Sequence, residues 1–297
     1  MFGLPDANLI RQAFAKYEAA KAEIPPSDPL DLQRISELVV AMDQMFTDMH
    51  AAFPKQQGKL GRRPVRFDAR TLKAENYFLP SLPPPPASVV NSRHVKNWGM
   101  LGNDKLGDCT CAAVAHGHQI GVLSQVQQGI TAEIIMPSLD AVIGIYERWC
   151  GYNPADPSTD QGGVELDVLN HWRQDGFEGR KILAYAAVDP QNTLHVKQAI
   201  NLFGGVYIGI ALPDGWQDAA VWDSKMGTPG SWGGHAVFVP DYYADRINPI
   251  TWGQSQEMTW AGFKQYCEEC YAIIFEDWVP PVGFDKAGLL DDLESVT

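Results

Sequence analysis

The sequence predicts an α+β fold, on two observations. Helical spacing of apolar residues dominates between residues 108 and 203, and strand signals gather from Gly205 onward. Helices first and strands later differ from the regular alternation that builds a parallel sheet. With 297 residues, 45% of them hydrophobic, the chain can bury a sizeable core as one large domain plus an accessory segment.

The first 54 residues read as a helical hairpin. Residues 6–23 place Leu9, Ile10, Phe14 and Tyr17 toward one side, and Pro25-Pro26 end that helix. Asp28 or Asp31 caps a second helix, whose apolar stripe includes Leu32, Ile35, Val39, Met42, Met45, Phe46, Met49 and Phe53. Packing against the main domain is the expected use of this Met-rich stripe. A docking face for a partner or a second copy, as in a homo-oligomer or particle assembly, is the alternative. Residues 55–94 read as a linker, first basic (Lys55, Lys59, Arg62, Arg63, Arg66, Arg70) and then stiffened by Pro80 and Pro83 to Pro86. A solvated loop is expected over 54–70, with a protease-sensitive junction, and so a pro-segment released by cleavage, as the sharper reading.

The main domain, 95–297, then divides in order. A helix is expected from Asp108 or Cys109 to about Gln128, and another over 137–150 capped by Ser138 or Asp140. Two more cover 164–175, ending at Gly176, and 192–203. Strands are expected over Gly205 to Leu212, Ala236 to Tyr243 and Cys270 to Glu276, with Thr259 capping a short helix before Phe263 and Tyr266.

Charge and cysteine content narrow the function. The formal net charge is −13; residues 71–297 hold 13 Lys+Arg against 27 Asp+Glu. An acidic main domain argues against nucleic-acid binding. No run approaches the ~18 apolar residues of a membrane span, and the N-terminus lacks a secretory leader, so a cytoplasmic or virion-associated location is expected, without a membrane partner. Five cysteines, an odd number, do not form a disulfide framework. Cys267-Glu268-Glu269-Cys270 is a lone Cys-x-x-Cys without a second ligand pair, so no metal and no other cofactor is expected. Cys111 reads as core, His116 and His118 as solvent-facing or core, and His50, His94, His171 and His195 have no partner pattern.

Two stretches carry chemistry. Gly107-Asp108-Cys109-Thr110-Cys111-Ala112-Ala113 sets a cysteine at a helix start, and Gly233-Gly234-His235-Ala236-Val237 sets a histidine at the start of an apolar strand. A Cys nucleophile needs an imidazole adjacent in the fold, not in the sequence. The helix dipole and a protonated His235 would both lower the thiol pKa, and His235 would then protonate the leaving amine.

Around these stretches the order of landmarks resembles the papain-like cysteine peptidases. Gly107-Asp108-Cys109 is similar to the family's Gly-Ser-Cys, and Asn103 stands six residues before Cys109, where the family has its oxyanion-hole Gln. Gln161-Gly162-Gly163 resembles the cleft-lining Asn-Gly-Gly, and Gly204-Gly205-Val206 a Gly-Pro-Val strand entry. Gly234-His235-Ala236-Val237 resembles Asn-His-Ala-Val, and Thr251-Trp252-Gly253 resembles Asn-Ser-Trp-Gly. These five landmarks span about residues 95–275. The resemblance implies a papain-like fold: a helical subdomain carrying the nucleophile helix, packed on an antiparallel β subdomain. It implies a peptidase acting on peptide or protein substrate, with Cys109 as nucleophile, His235 as general base and acid, and Asn103 with the Cys109 N–H as oxyanion donors. Gly162 and Gly163 would line the substrate cleft, and Trp252 would shield the imidazole.

Two departures bear on activity. Asn103 is one methylene shorter than Gln. Ile250 holds the place of the family's imidazole-orienting Asn and cannot hydrogen-bond; Thr251, Asn248 or Gln254 are substitutes, Thr251 being favoured at sixteen residues after His235. The competing readings are a papain-like scaffold that lost activity and serves a structural role, as in a bacterial or phage particle, and a transglutaminase- or acyltransferase-like thiol enzyme using Asp241 or Asp245. The Gly-Gly and Trp-Gly landmarks favour the papain-like one.

Overall fold

The computed structural model describes residues 58–127 and 136–296, together with Gln12 and Ala15, two exposed helical positions. Contacts divide the chain into a unit of residues 1–56 and a unit of residues 57–297. The expected hairpin over 1–54 otherwise lies outside the described residues.

The second unit is α+β. Its helices are α1 (Cys109–Gln127), α2 (Leu139–Cys150), α3 (Glu165–Gln174), α4 (Thr193–Phe203), α5 (Trp260–Tyr266) and α6 (Lys286–Val296). Its strands are β1 (Val89–Val90), β2 (Ile182–Ala187), β3 (Val206–Leu212), β4 (Val221–Trp222), β5 (Gly233–Tyr242), β6 (Arg246–Thr251), β7 (Gln254–Ser255), β8 (Glu257–Thr259) and β9 (Cys267–Phe275). The sheet runs β2-β9-β3-β5-β6-β8-β4, with β1 on β5 and β7 on β6. All its pairings are antiparallel except β4 with β8.

Local chemistry explains the helix limits. Ser138 Oγ accepts the Ala141 N–H at 3.1 Å and starts α2, and Gly151, at φ 78°, ends it in the left-handed region. Asn192 caps α4 through the His195 N–H, and Gly204 at φ 85° closes it. Thr259 caps α5 by accepting the Gly262 N–H at 3.0 Å.

The central strands are buried on both faces, and the period of two sorts their side chains into two cores. Val206, Ile208, Ile210, Val237 and Val239 join one core with Val196, Ile200 and Phe203 of α4. Tyr207, Ala236 and Phe238 join the other with Cys109, Val114, Val142 and Trp172 of α1, α2 and α3. Helix α1 is buried on every side from Cys109 to Gly121. Two of its buried polar side chains reach backbone carbonyls: Gln119 donates to Asn97 O at 2.9 Å, and His116 Nε2 lies 3.3 Å from Gly99 O. A helix without a polar face is a core helix, and this one fixes its N-terminus against β5.

The basic stretch corrects the expectation of a solvated loop. From Gly58 to Arg63 the chain runs between Gly162-Gly163 and the start of β5. Backbone hydrogen bonds hold it: Lys59 N–H to Asn103 O (2.7 Å), Gly163 N–H to Gly61 O (2.9 Å), Arg63 N–H to Gly163 O (2.9 Å) and Arg62 N–H to Gly234 O (3.2 Å). Composition reads such a run as loop; here its backbone supplies the pairing.

Candidate active site

Cys109, at the first turn of α1, and His235, near the start of β5, line one small cavity of about 10 Å³ with Asn103, Ala236, Ile250, Thr251 and Trp252. The fold thus brings together the candidate nucleophile, base, oxyanion donor and orienting residue. Cys109 and His235 are each 1% exposed.

Thr251 Oγ1 lies 2.7 Å from His235 Nε2. Strand alternation explains why it is Thr251 and not Ile250 that reaches the ring. Ile250 pairs with Phe238 across β5–β6 and sits in the core that contains Cys109 and Ala236, so the next residue faces the opposite way. Trp252, at φ 48°, stacks on the imidazole with ring centroids 4.8 Å apart. With Nε2 engaged by Thr251, Nδ1 is the free ring nitrogen; it is buried and has no hydrogen-bond partner among the described residues.

Burial sets the protonation states. It pushes the Cys109 thiol up to about 12, against hydrogen bonds from the Ala236 and Gly61 backbones that favour the thiolate. It pushes His235 down to about 3, helped by the charges of Arg62 and His116. Both groups are therefore neutral at pH 7. The ion pair expected from the sequence is not the state of this covered site.

The cover is the chain itself. Asn103 Nδ2 donates to Lys59 O at 2.9 Å and to Leu106 O at 3.1 Å, so a backbone carbonyl already takes the amide that an oxyanion would use. Leu60 lies against Gly233, where an added Cβ would stand 2.7 Å from its Cδ1. Gly58 lies on the Trp252 indole, with an added Cβ 2.2 Å away. Gly61 is the tightest point: a Cβ there would stand 1.8 Å from Gly107 O, and one on Gly162 would stand 1.9 Å from Gly61 O. Asp160 braces this wall, accepting from Gly107 N–H (2.9 Å), Tyr146 OH (2.7 Å) and Lys59 Nζ (3.2 Å), while Tyr146 OH accepts the Gly162 N–H.

Arg62 is the residue that sequence reasoning left on the surface. Its side chain is 3% exposed; Nη1 donates to Glu269 Oε1 at 2.8 Å and Nη2 to Glu268. Burial alone would lower its pKa, but the charges of Glu165, Glu268 and Glu269 outweigh that and raise it. Two glycines flanking a Lys-Leu pair, followed by Arg62, were the available signal.

Of the other residues weighed from the sequence, His116 lines the same cavity, whereas the cysteines, Asp241 and His118 stay out of it. Cys111 is core, with its sulfur 3.9 Å from that of Cys150. Cys267 and Cys270 are buried in the sheet, and among the described residues no group of His, Cys, Asp or Glu is arranged to hold a metal ion. Asp241 accepts from Ser92 N–H at 2.9 Å and from Ser92 Oγ. His118 packs edge-on against Phe177, and burial lowers its pKa to about 4. Among the described residues no helix is long and apolar enough to cross a membrane.

No protein-family model matches the chain, and no curated protein matches it. Solved structures similar to it are cysteine proteases of low identity. One, from Carica candamarcensis, is 15% identical, covers 64% of this chain and 98% of its own, and has a TM-score of 0.47. A procathepsin B from Trypanosoma congolense is 11% identical, with 75% and 85% covered and a TM-score of 0.46. The cysteine protease and lectin-like domains of Cwp84, a surface layer associated protein of Clostridium difficile, are 11% identical, with 72% and 57% covered and a TM-score of 0.44.

Proposed function

We propose that the protein is a thiol peptidase held latent by its own residues 58–66. The observation that carries this reading is the Thr251–His235 hydrogen bond at 2.7 Å beside buried Cys109, which supplies the orienting contact that Ile250 cannot. When the cleft is clear, water and substrate replace the burial that keeps both groups neutral, and the positive charge of Arg62 leaves the neighbourhood of His235. The Cys109 proton then passes to His235 Nδ1, while Thr251 holds Nε2. The thiolate attacks a substrate carbonyl carbon, Asn103 Nδ2 and the Cys109 N–H take the oxyanion, and His235 returns the proton to the leaving amine. Water, deprotonated by His235, then hydrolyses the thioester.

The experiment is hydrolysis of a broad peptide library by the chain with the segment displaced, with and without Cys109→Ala. Loss of hydrolysis in the variant supports the reading; unchanged hydrolysis overturns it. A second reading, a scaffold without turnover, is favoured by the complete burial of Cys109 and His235. It predicts no hydrolysis after displacement.

A further inference from the structure

We infer that Glu165, Glu268 and Glu269 form a subsite for a basic side chain of the substrate, and that arginine fits it better than lysine. This rests on the peptidase reading for the word substrate; the pocket itself rests on geometry.

The pocket opens beside the cleft. The Arg62 backbone is fixed on one side by Gly163 and on the other by Gly234, so its side chain leaves the cleft at a defined point. It passes over Gly209 of β3, where an added Cβ would stand 2.5 Å from Glu165 Oε1, 2.6 Å from Glu269 Cγ and 2.8 Å from Arg62 Cδ. Only glycine leaves room there for a side chain between the two carboxylates. Glu269 is held in place by the Tyr271 hydroxyl, which donates to Oε2 at 2.9 Å.

Glu165 is the independent observation. It is the first residue of α3, is fully buried, and neither carboxylate oxygen has a hydrogen-bond partner among the described residues. Arg62 Nε, also buried, likewise has no partner among the described residues. The covering segment thus fills the pocket while leaving hydrogen-bonding capacity unused on both sides. A buried carboxyl without a partner is costly, and a planar guanidinium with five N–H groups can meet Glu165 and Glu269 together. An ammonium offers a single point of charge and no fork, which sets the order arginine over lysine. With residues 58–66 displaced, the three acids lose their cation and the pocket gains a demand for another.

The test uses the full chain carrying Gly61→Val, to loosen the cover, and Cys109→Ala, to prevent turnover. The probe is a labelled nonapeptide with the sequence of residues 58–66, made with either arginine or citrulline at its central position, that of Arg62. Citrulline keeps the shape and removes the charge. The expected result is binding at least ~10-fold weaker for citrulline, and a difference that shrinks in Glu269→Gln and in Glu165→Gln, two near-isosteric variants. Equal binding of the two peptides overturns the inference whether or not either variant folds. In parallel, the Gly61→Val chain with Cys109 intact is offered a library varied in basic, neutral and acidic residues. Hydrolysis without any basic preference leaves the peptidase reading standing and removes the subsite. Charge-dependent binding without hydrolysis removes the peptidase reading and leaves the pocket.

Discussion

Replacing Gly61 by valine should uncover Cys109. A Cβ at this position would lie 1.8 Å from Gly107 O, whereas real contacts stay beyond 3.0 Å, so the segment must move by more than an ångström. Both neighbours are backbone, Gly107 on one side and Gly162 on the other, and neither can turn aside as a side chain would. Movement on that scale breaks the four backbone hydrogen bonds that seat residues 59–63. At about 1 kcal/mol net for each, the loss is about 4 kcal/mol, a shift of roughly 10²–10³ in the population of the cleared state after partial relaxation. Alkylation of Cys109 by a neutral reagent at fixed pH reads that population, because a thiol buried to 1% exposure reacts only when the cover lifts. The modified residue is located by peptide mapping, and circular dichroism checks the fold. A Gly61→Val chain that is folded and labelled at the parental rate would refute the reasoning.

Three further outcomes follow from the same geometry. Thr251→Ala should lower hydrolysis by the cleared chain about 10–100-fold, the cost of one buried hydrogen bond at the imidazole, while Thr251→Ser restores most of it; equal rates for all three would show that Thr251 does not orient His235. Acidification should favour clearing. Burial, helped by the Arg62 charge, holds His235 down to about 3 in the covered state, so a cleared and solvated imidazole binds a proton that the covered one refuses, and the cleared state gains population as pH falls through the ~6.5 of a free imidazole. The groups facing Arg62 are Glu165, Glu268, Glu269 and, through Glu269, Tyr271, and hydrogen exchange of the Arg62 and Arg63 amides measured from pH 7 to 4 should accelerate beyond its intrinsic pH trend; slower relative exchange in acid would contradict the sign. Glu269→Gln should weaken the hold on Arg62 and raise Cys109 alkylation at pH 7 by about 10-fold, since a charge-assisted bond becomes a neutral one; a lower rate than the parent would contradict it.

Legibility in the sequence followed how strongly side-chain pattern, rather than backbone, built each element. Helix α1 and strands β3, β5 and β9 were legible because caps, glycines and apolar runs mark them. Strand β2, Ile-Leu-Ala-Tyr-Ala-Ala, was not assigned, because its alanines carry little strand preference and its burial comes from pairing with β9. Strand β6 contains Asn248 and Pro249, which read as a turn, and α6 buries Leu289 alone. Within the site, Cys109, His235 and Asn103 followed from the order of motifs, and Thr251 from the need for a polar neighbour near Ile250. The cover was hidden because residues 58–66 pair through main-chain groups that no composition reports. Its one buried side chain, Arg62, answers three acids scattered over α3 and β9.

The central claim is that Cys109 becomes a low-pKa nucleophile through His235 once residues 58–66 leave the cleft. The direct measurement is the pH dependence of Cys109 alkylation in the Gly61→Val chain, with and without His235→Ala. The account predicts an inflection well below the ~8.5 of a free thiol, returning to or above it when His235 is removed. An inflection at or above 8.5 that does not respond to His235 would contradict it.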